Sequence, residues 1–208
     1  MIIAIDGPAA SGKGTLARRL AAHFGVPHLD TGVLYRAVGL RVLRQGGDPA
    51  DKDAAVAAAN HVTPNELSDS ELRSDDAAQA ASVVAAIPAV RQALQDFQRD
   101  FASQPGGAVM DGRDIGTVIA PDADAKFFVT ASVEVRARRR WSELQQTEPA
   151  PTLDEVLDDM RRRDARDSGR TVSPLRPADD ALILDTDNLD PDEVFARALA
   201  HVEKTAKP

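Results

Sequence analysis

The sequence predicts an α/β fold, a parallel five-stranded sheet flanked by helices. Three observations carry this expectation. Short apolar runs of strand length recur at residues 2–6, 26–30, 107–111, 125–130 and 181–185. Stretches of helical periodicity alternate with them, which favours a parallel sheet buried on both faces. A chain of 208 residues fits a single domain, and a domain of that size buries about 70% of its unfolded surface without needing staples.

Residues 2–6 (IIAID) are β-branched and apolar and stop at a Gly-rich turn, so they read as a buried strand. A helix should follow from Lys13 to Phe24, with Leu16, Leu20 and Phe24 on one face. Residues 26–30 (VPHLD) form a brief second extended segment. Thr31 then starts a helix carrying Tyr35, Val38 and Val42, which ends near Gly46 and Gly47. Residues 48–80 are polar and Ala-rich with few large apolar groups, and read as an exposed insertion of short helices and turns. Pro88–Phe101 is amphipathic, with Val90, Leu94, Phe97 and Phe101 at helical spacing. Residues 107–111 (GAVMD) and 125–130 (AKFFVT) are the next strands, and Ser132 can cap a helix running to Trp141 and Leu144. Pro149 and Pro151 interrupt the chain before Thr152 and Glu155, a capping box for another helix that leads into an Arg-rich segment ending at Arg170. Residues 181–185 (ALILD) are the last strand, and Asp190, Pro191 and Glu193 supply the cap, first-turn proline and box of the final helix.

The absence of Cys removes disulfides, thiolate catalysis and Cys-based metal sites together, and leans towards a reducing compartment. The N-terminus lacks a basic n-region, its apolar run is too short for a signal peptide, and no stretch approaches the ~20 apolar residues of a membrane helix. A cytoplasmic chain, monomeric and without membrane or nucleic-acid partners, is expected. A net charge of −8 argues against generic nucleic-acid binding. Yet ten Arg and no Lys lie between Arg136 and Arg176, in a chain with five Lys in all. Such a preference suggests planar, bidentate recognition of phosphate or carboxylate. Some of these arginines must simply pair with acids on solvated helix faces; at least three are expected to act on a ligand.

The strongest constellation is the loop Gly7, Pro8, Ala9, Ala10, Ser11, Gly12, Lys13, Gly14 and Thr15, set between a strand and a helix. Phosphate oxygens need a ring of backbone N–H donors, which a tight Gly-containing loop presents without Cβ clashes. The helix N-terminus adds positive partial charge. Lys13 can reach the β- and γ-phosphates of a nucleoside triphosphate, and a hydroxyl just beyond it can ligand Mg²⁺. Here Gly14 follows Lys13, so the hydroxyl comes one place later than in the general pattern, at Thr15, the expected metal ligand.

The GKGT ending occurs in nucleoside monophosphate kinases, and the chain resembles bacterial cytidylate (CMP) kinases. The resemblance rests on segments in order: Asp30–Arg36 (DTGVLYR), Ala80–Ser82 (AAS) with Pro88–Arg91 (PAVR), Asp111–Thr117 (DGRDIGT), Arg163–Arg170 (RDARDSGR) followed by Ser173-Pro-Leu, and Asp179–Thr186 (DDALILDT). Together with the loop they span residues 2 to about 186. One departure is plain. Many bacterial members carry extra strands before the AAS segment, whereas residues 61–79 here look too short and too polar for them.

The resemblance implies a P-loop kinase fold in one domain, with a core of about 1–36, 87–145 and 178–208, a monophosphate-binding insert of about 37–86 and a short Arg-rich lid of about 146–177. It implies transfer of the ATP γ-phosphoryl group to CMP and dCMP with Mg²⁺. Lys13, Arg163 and Arg170 would be catalytic, the last two from the lid. Thr31, Arg36, Ser82, Arg91, Arg113, Asp114, Arg163, Asp167 and Arg170 would bind the acceptor: Arg36 and Arg113 its phosphate, Ser82, Arg91 and Asp114 its base, while Asp167 would touch its ribose or orient the arginines. Asp111 could hold a metal-bound water, Arg166 could join the lid arginines, and one of Arg136–Arg140 would face ATP. The four His show no ligand spacing and receive no role. A UMP-specific or dual kinase is the runner-up within kinases, and a nucleotide-gated switch is the alternative from another class.

Overall fold

The computed structural model describes residues 1–145 and 149–205. These residues form five strands: β1 (Ile2–Asp6), β2 (His28–Asp30), β3 (Ala108–Gly112), β4 (Ala125–Thr130) and β5 (Leu182–Asp185). All pair in parallel in the order β2-β3-β1-β4-β5. β1 lies at the centre, and its alternation distributes Ile3 and Ile5 to one face and Ala4 to the other. On the first face, helices α1 (Lys13–Phe24) and α8 (Pro191–Thr205) bury Leu16, Leu20, Val194, Ala198 and Val202 against Phe127, Val129 and Leu184. On the second, Met110, Ile115, Ile119 and Ala102 close around Ala4. The chain leaves β1 first towards β3 and β2 and later towards β4 and β5, so the crevice at the carboxyl end of β1 is the switch point where open α/β sheets bind ligands.

Local signals set the helix starts. The Asp30 carboxylate accepts from Gly32 N at 2.9 Å to cap α2 (Thr31–Arg44). The Ser132 hydroxyl accepts from Val135 N to begin α6 (Val133–Leu144). Thr152 and Glu155 form the reciprocal capping box of the following helix, which ends at Ser168. Asp190 accepts from Asp192 N and Glu193 N, both at 2.8 Å, to cap α8.

The insertion departs from its expected exposed character. It holds α3 (Lys52–Ala59), α4 (Asp75–Val84) and two 3-10 turns, Pro64–Ser68 and Ser70–Arg73. Ala55, Ala58, Ala59, Ala81 and Val84 are buried with Leu34, Tyr35, Val38 and Val42 of α2 and Val90 and Leu94 of α5 (Pro88–Ala102). Alanine carries a weak hydrophobic signal, but it lets helices approach closely, and here it forms a satellite core. Among its described residues, 61–79 contain no strand. A second correction concerns α5. Phe97 is 41% exposed, and the buried face instead takes Arg91 and Gln98.

The Arg-rich segment is a continuous helix, α7 (Leu153–Ser168), packed on α6 through Ala137, Leu144, Val156 and Met160. The opening residues of the expected lid, 146–148, lie outside the described residues. No helix among the described residues is long and apolar enough to cross a membrane.

Candidate active site

The loop between β1 and α1 has the backbone that anion binding requires. Gly7 sits at φ 154°, and a Cβ there would lie 2.0 Å from the Val129 carbonyl oxygen, so no larger residue fits. Gly12, at φ 93°, caps α1 and directs the helix N-terminus towards the crevice. The Lys13 ammonium donates to Pro8 O at 3.2 Å, closing the loop on itself. Burial pushes the Lys13 pKa down to about 7, with the Arg113 cation adding to it and Asp111 and Asp30 opposing it.

In front of the loop opens a cleft of about 720 Å³. Ala9, Ala10, Lys13 and Gly14 line it on the loop side. Gly7, Pro8 and Ser11 are buried and Gly12 is exposed, and none of the four lines it. All nine residues expected on the acceptor side (Thr31, Arg36, Ser82, Arg91, Arg113, Asp114, Arg163, Asp167 and Arg170) line the same cleft, drawn from four separate stretches of chain. In a chain of net charge −8, its wall carries eight cationic side chains against five carboxylates. Such an excess of cations favours anionic ligands.

Its interior is cross-braced. Asp167, 2% exposed, accepts from Arg113 Nε at 2.9 Å and from Arg170 Nη2. Burial alone would raise the Asp167 carboxyl, but Arg113, Arg170 and Arg163 outweigh it and hold it below the usual range. Asp114 accepts from Arg91 Nη2, and the Arg91 guanidinium lies 5.4 Å from the centre of the Tyr35 ring. Several buried donors lack a protein partner: Arg91 Nε, Arg163 Nε, and Nε and Nη1 of Arg170. Buried N–H groups are costly to leave unmade. Burial, with the Arg113 cation next, pushes Arg163 down to about 10, still charged at neutral pH. Both facts describe a constellation completed by an oxyanion.

The remaining arginines divide by task. Arg136 is buried and donates to Ala131 O, Ala9 O and both oxygens of Asp164, pinning α7 and the loop to α6. Arg139 holds Thr186 through its hydroxyl and carbonyl at 3.0 and 2.7 Å, and Thr186 in turn donates to Ser11 O. Only Arg140 of this group lines the cleft, bound at 3.2 Å to Asp75 of α4. Arg36 stands 3.7 Å from Asp30. The Thr31 hydroxyl donates to Asp111 O at 2.9 Å and so ties α2 to β3.

Three residues here escaped the sequence reading: Asp6, His28 and Arg73. Asp6 is buried and accepts from Ile115 N and Gly116 N, both at 2.8 Å, yet burial still raises its pKa to about 7. His28 contacts Asp111 Oδ1 through Nε2 at 2.7 Å. Arg73 of the insert lines the cleft, and Arg166 reaches Ser82. His28 and Asp111 lie 83 positions apart, and only the pairing of β2 with β3 brings them together.

A family profile for cytidylate kinase matches residues 3–204. The chain belongs to the cytidylate kinase family. A cytidylate kinase of Methylocella silvestris is 61% identical over 203 residues, covering 98% of this chain and 94% of that one. One from Paramagnetospirillum magneticum is 60% identical, covering 95% of each. One from Rhodospirillum rubrum is 58% identical over 96% of this chain and 95% of that one. Among solved structures, an uncharacterized protein from Eubacterium ventriosum superposes with a TM-score of 0.57 over 98% of both chains at 16% identity, a likeness of fold. The fold is that of a P-loop kinase.

For a member of this family the metal site is the point where chain and expectation differ in emphasis. Thr15 is exposed, does not line the cleft, and its hydroxyl accepts from Arg18 Nη2 at 3.4 Å. The extra Gly14 turns the hydroxyl one position further round the helix. The Asp111 and Asp30 carboxylates line the cleft instead, and Asp111 Oδ2 lies beside Gly14. Mg²⁺ favours oxygen donors and keeps several of its waters, so one carboxylate with substrate phosphates suits it. The residues present therefore fit Mg²⁺, with Asp111 the better-placed partner.

Proposed function

We propose that the chain transfers the γ-phosphoryl group of ATP to CMP, and to dCMP, giving ADP and CDP or dCDP. The observation that supports this most directly is the single cleft with a triphosphate loop on one wall and partnerless buried arginine donors on the other. A binding switch needs the first and has no use for the second.

Phosphoryl transfer asks little covalent chemistry of a protein, so positioning and charge stabilisation dominate. The backbone of Gly7–Gly14 and the Lys13 ammonium hold the donor phosphates. Asp111, on the cleft wall beside Gly14, would hold Mg²⁺ through one of its waters, and the ion would supply charge neutralisation at the donor phosphates. Arg36 and Arg113 hold the acceptor phosphate in line. Arg163, and Arg170 anchored by Asp167, meet the equatorial oxygens as charge spreads over them, where preorganised cations act most strongly. Residues 146–177 act as the lid over this centre and about 37–86 as the acceptor-binding insert.

Cytosine differs from uracil at the amino group, a donor that demands acceptors. The Asp114 carboxylate, buried and oriented by Arg91, supplies one. A uracil carbonyl in its place would leave the free carboxylate oxygen unpaired at about 1–3 kcal/mol, which gives CMP an advantage of about 5- to 150-fold over UMP. The test is kcat/KM for CMP, dCMP, UMP and AMP at subsaturating acceptor. CMP and dCMP should lead, and UMP turning over as well as CMP would sink the base assignment. Asp114→Ala should erode the CMP-over-UMP ratio more than it lowers the rate with UMP; equal losses would make Asp114 structural.

A further inference from the structure

Arg166 is an arginine of α7 to which the acceptor side gives no task. Arg163 and Asp167 on the same helix, and Arg170 just beyond it, line the cleft, whereas Arg166 does not. Its Nη1 donates instead to Ser82 Oγ at 2.7 Å, linking α7 to α4 across 84 positions. Ser82 is 3% exposed and does line the cleft, as do Arg91 and Asp114.

A serine hydroxyl has one proton and two lone pairs, while a guanidinium only donates. The bond from Arg166 occupies one lone pair and offers nothing to receive the Ser82 proton. That proton is left for the cleft, and the adjoining cation makes the hydroxyl a stronger donor. Asp114 engages Arg91 through Oδ2, which leaves Oδ1 as an acceptor. The base edge therefore meets the Asp114 acceptor and the Ser82 donor, beside the Arg91 guanidinium, which also only donates. Cytosine presents an amino donor next to the N3 acceptor; uracil presents a carbonyl acceptor next to an N3–H donor. A hydroxyl fixed as donor matches the first order and opposes the second.

We infer that Arg166 is a positioning residue for base selection, fixing the hydrogen-bond polarity of Ser82 so that the cleft takes cytosine and rejects uracil. This rests on the cytidylate reading above. Because the partners sit on α7 and α4, base readout is set when the lid helix lies against the insert. Without Arg166 the hydroxyl is free to turn and accept from uracil N3–H.

The experiment measures kcat/KM for CMP and UMP with the wild type, Arg166→Met, Ser82→Ala and the double variant. Arg166→Met should lower the CMP-to-UMP ratio about tenfold. The change should sit mainly in KM, because Arg166 touches no transferring atom. The double variant should fall no further than Ser82→Ala alone, as expected when one residue acts through the other. Arg166→Lys, also a donor-only cation, should keep more of the ratio than Met does. The inference is overturned by an unchanged ratio in Arg166→Met, by kcat losses equal for both nucleotides, by a lysine variant no better than methionine, or by a full further drop in the Ser82→Ala background. A wild type indifferent between CMP and UMP removes the cytidylate reading and this inference with it. A wild-type preference that survives in Arg166→Met sinks the inference alone.

Discussion

Asp6 ends β1 and Lys13 begins α1 on either side of the loop, and burial moves their pKa values in opposite directions. With its pKa pushed down to about 7, Lys13 is mostly neutral at pH 8 in the free protein, and a bound triphosphate must raise it again. Nucleotide binding at pH 8 should thus take up more than half a proton, read by calorimetry in buffers of different ionisation heat. Lys13→Met should abolish the uptake and lower kcat roughly 10²–10³-fold with the fold intact; uptake persisting in that variant would assign the proton elsewhere. Asp6 is raised to about 7, so between the ordinary carboxylate range and pH 7 the folded state binds a proton that the unfolded state releases. Its contribution to stability is complete at low pH and is lost as pH rises through 7. Denaturant titrations at pH 5 and pH 8 should show the wild type losing stability relative to Asp6→Asn across that window. A pH-independent difference would refute the assignment.

At the scale of elements, α2 and α4 meet with almost no clearance. A Cβ at Gly39 would lie 2.6 Å from the Ala80 Cβ and 2.9 Å from its carbonyl carbon, and the backbone cannot retreat as a flexible side chain would. Gly39→Ala should therefore cost about 1–3 kcal/mol by overpacking rather than gain helix propensity, checked by the midpoint of urea unfolding. Because Ala81 and Ser82 follow directly on α4, KM for the acceptor should rise with it. The α6–α7 pair is held by a different device, the two bonds from Arg136 to Asp164 at 3.2 and 2.5 Å. Asp164→Ala strands a buried guanidinium, so it should loosen α7 and lower kcat about tenfold or more at saturating nucleotides. An effect confined to the KM for ATP would instead place the role of Arg136 in the loop, through Ala9.

The whole molecule gathers its ligands between three bodies of chain: the loop on the sheet, the insert and the Arg-rich helix. Each supplies like charge to the others, and Arg163 is depressed by Arg113 as well as by burial. Ligand anions remove that repulsion. Nucleotides at about 100 times Kd should raise stability by about 2.7 kcal/mol each, or roughly 5–10 °C in Tm for a chain of this length. CMP alone giving no shift in a thermal scan would contradict a formed acceptor side.

Much of this was legible in residue order because it depends on local physics. The strand–loop–helix at Ile2–Phe24, the caps at Ser132, Thr152 and Asp190, and the parallel sheet follow from periodicity, glycine and short-range hydrogen bonds. The expected acceptor residues also lie on one cleft. What residue order hid were interactions across long separations between side chains with no distinctive neighbours. His28 meets Asp111 only through strand pairing, Arg166 meets Ser82 only through the docking of α7 on α4, and the alanines of 48–80 become core only when α2 covers them. Phe97 shows the converse: periodicity gave it a buried face that the site claims for Arg91. Residue order alone was enough to place a Gly-rich loop at the head of a parallel sheet, since backbone conformation and glycine placement are local. Only the tertiary structure decided which arginines face the ligand and which brace the frame, because that depends on what each guanidinium finds across the cleft.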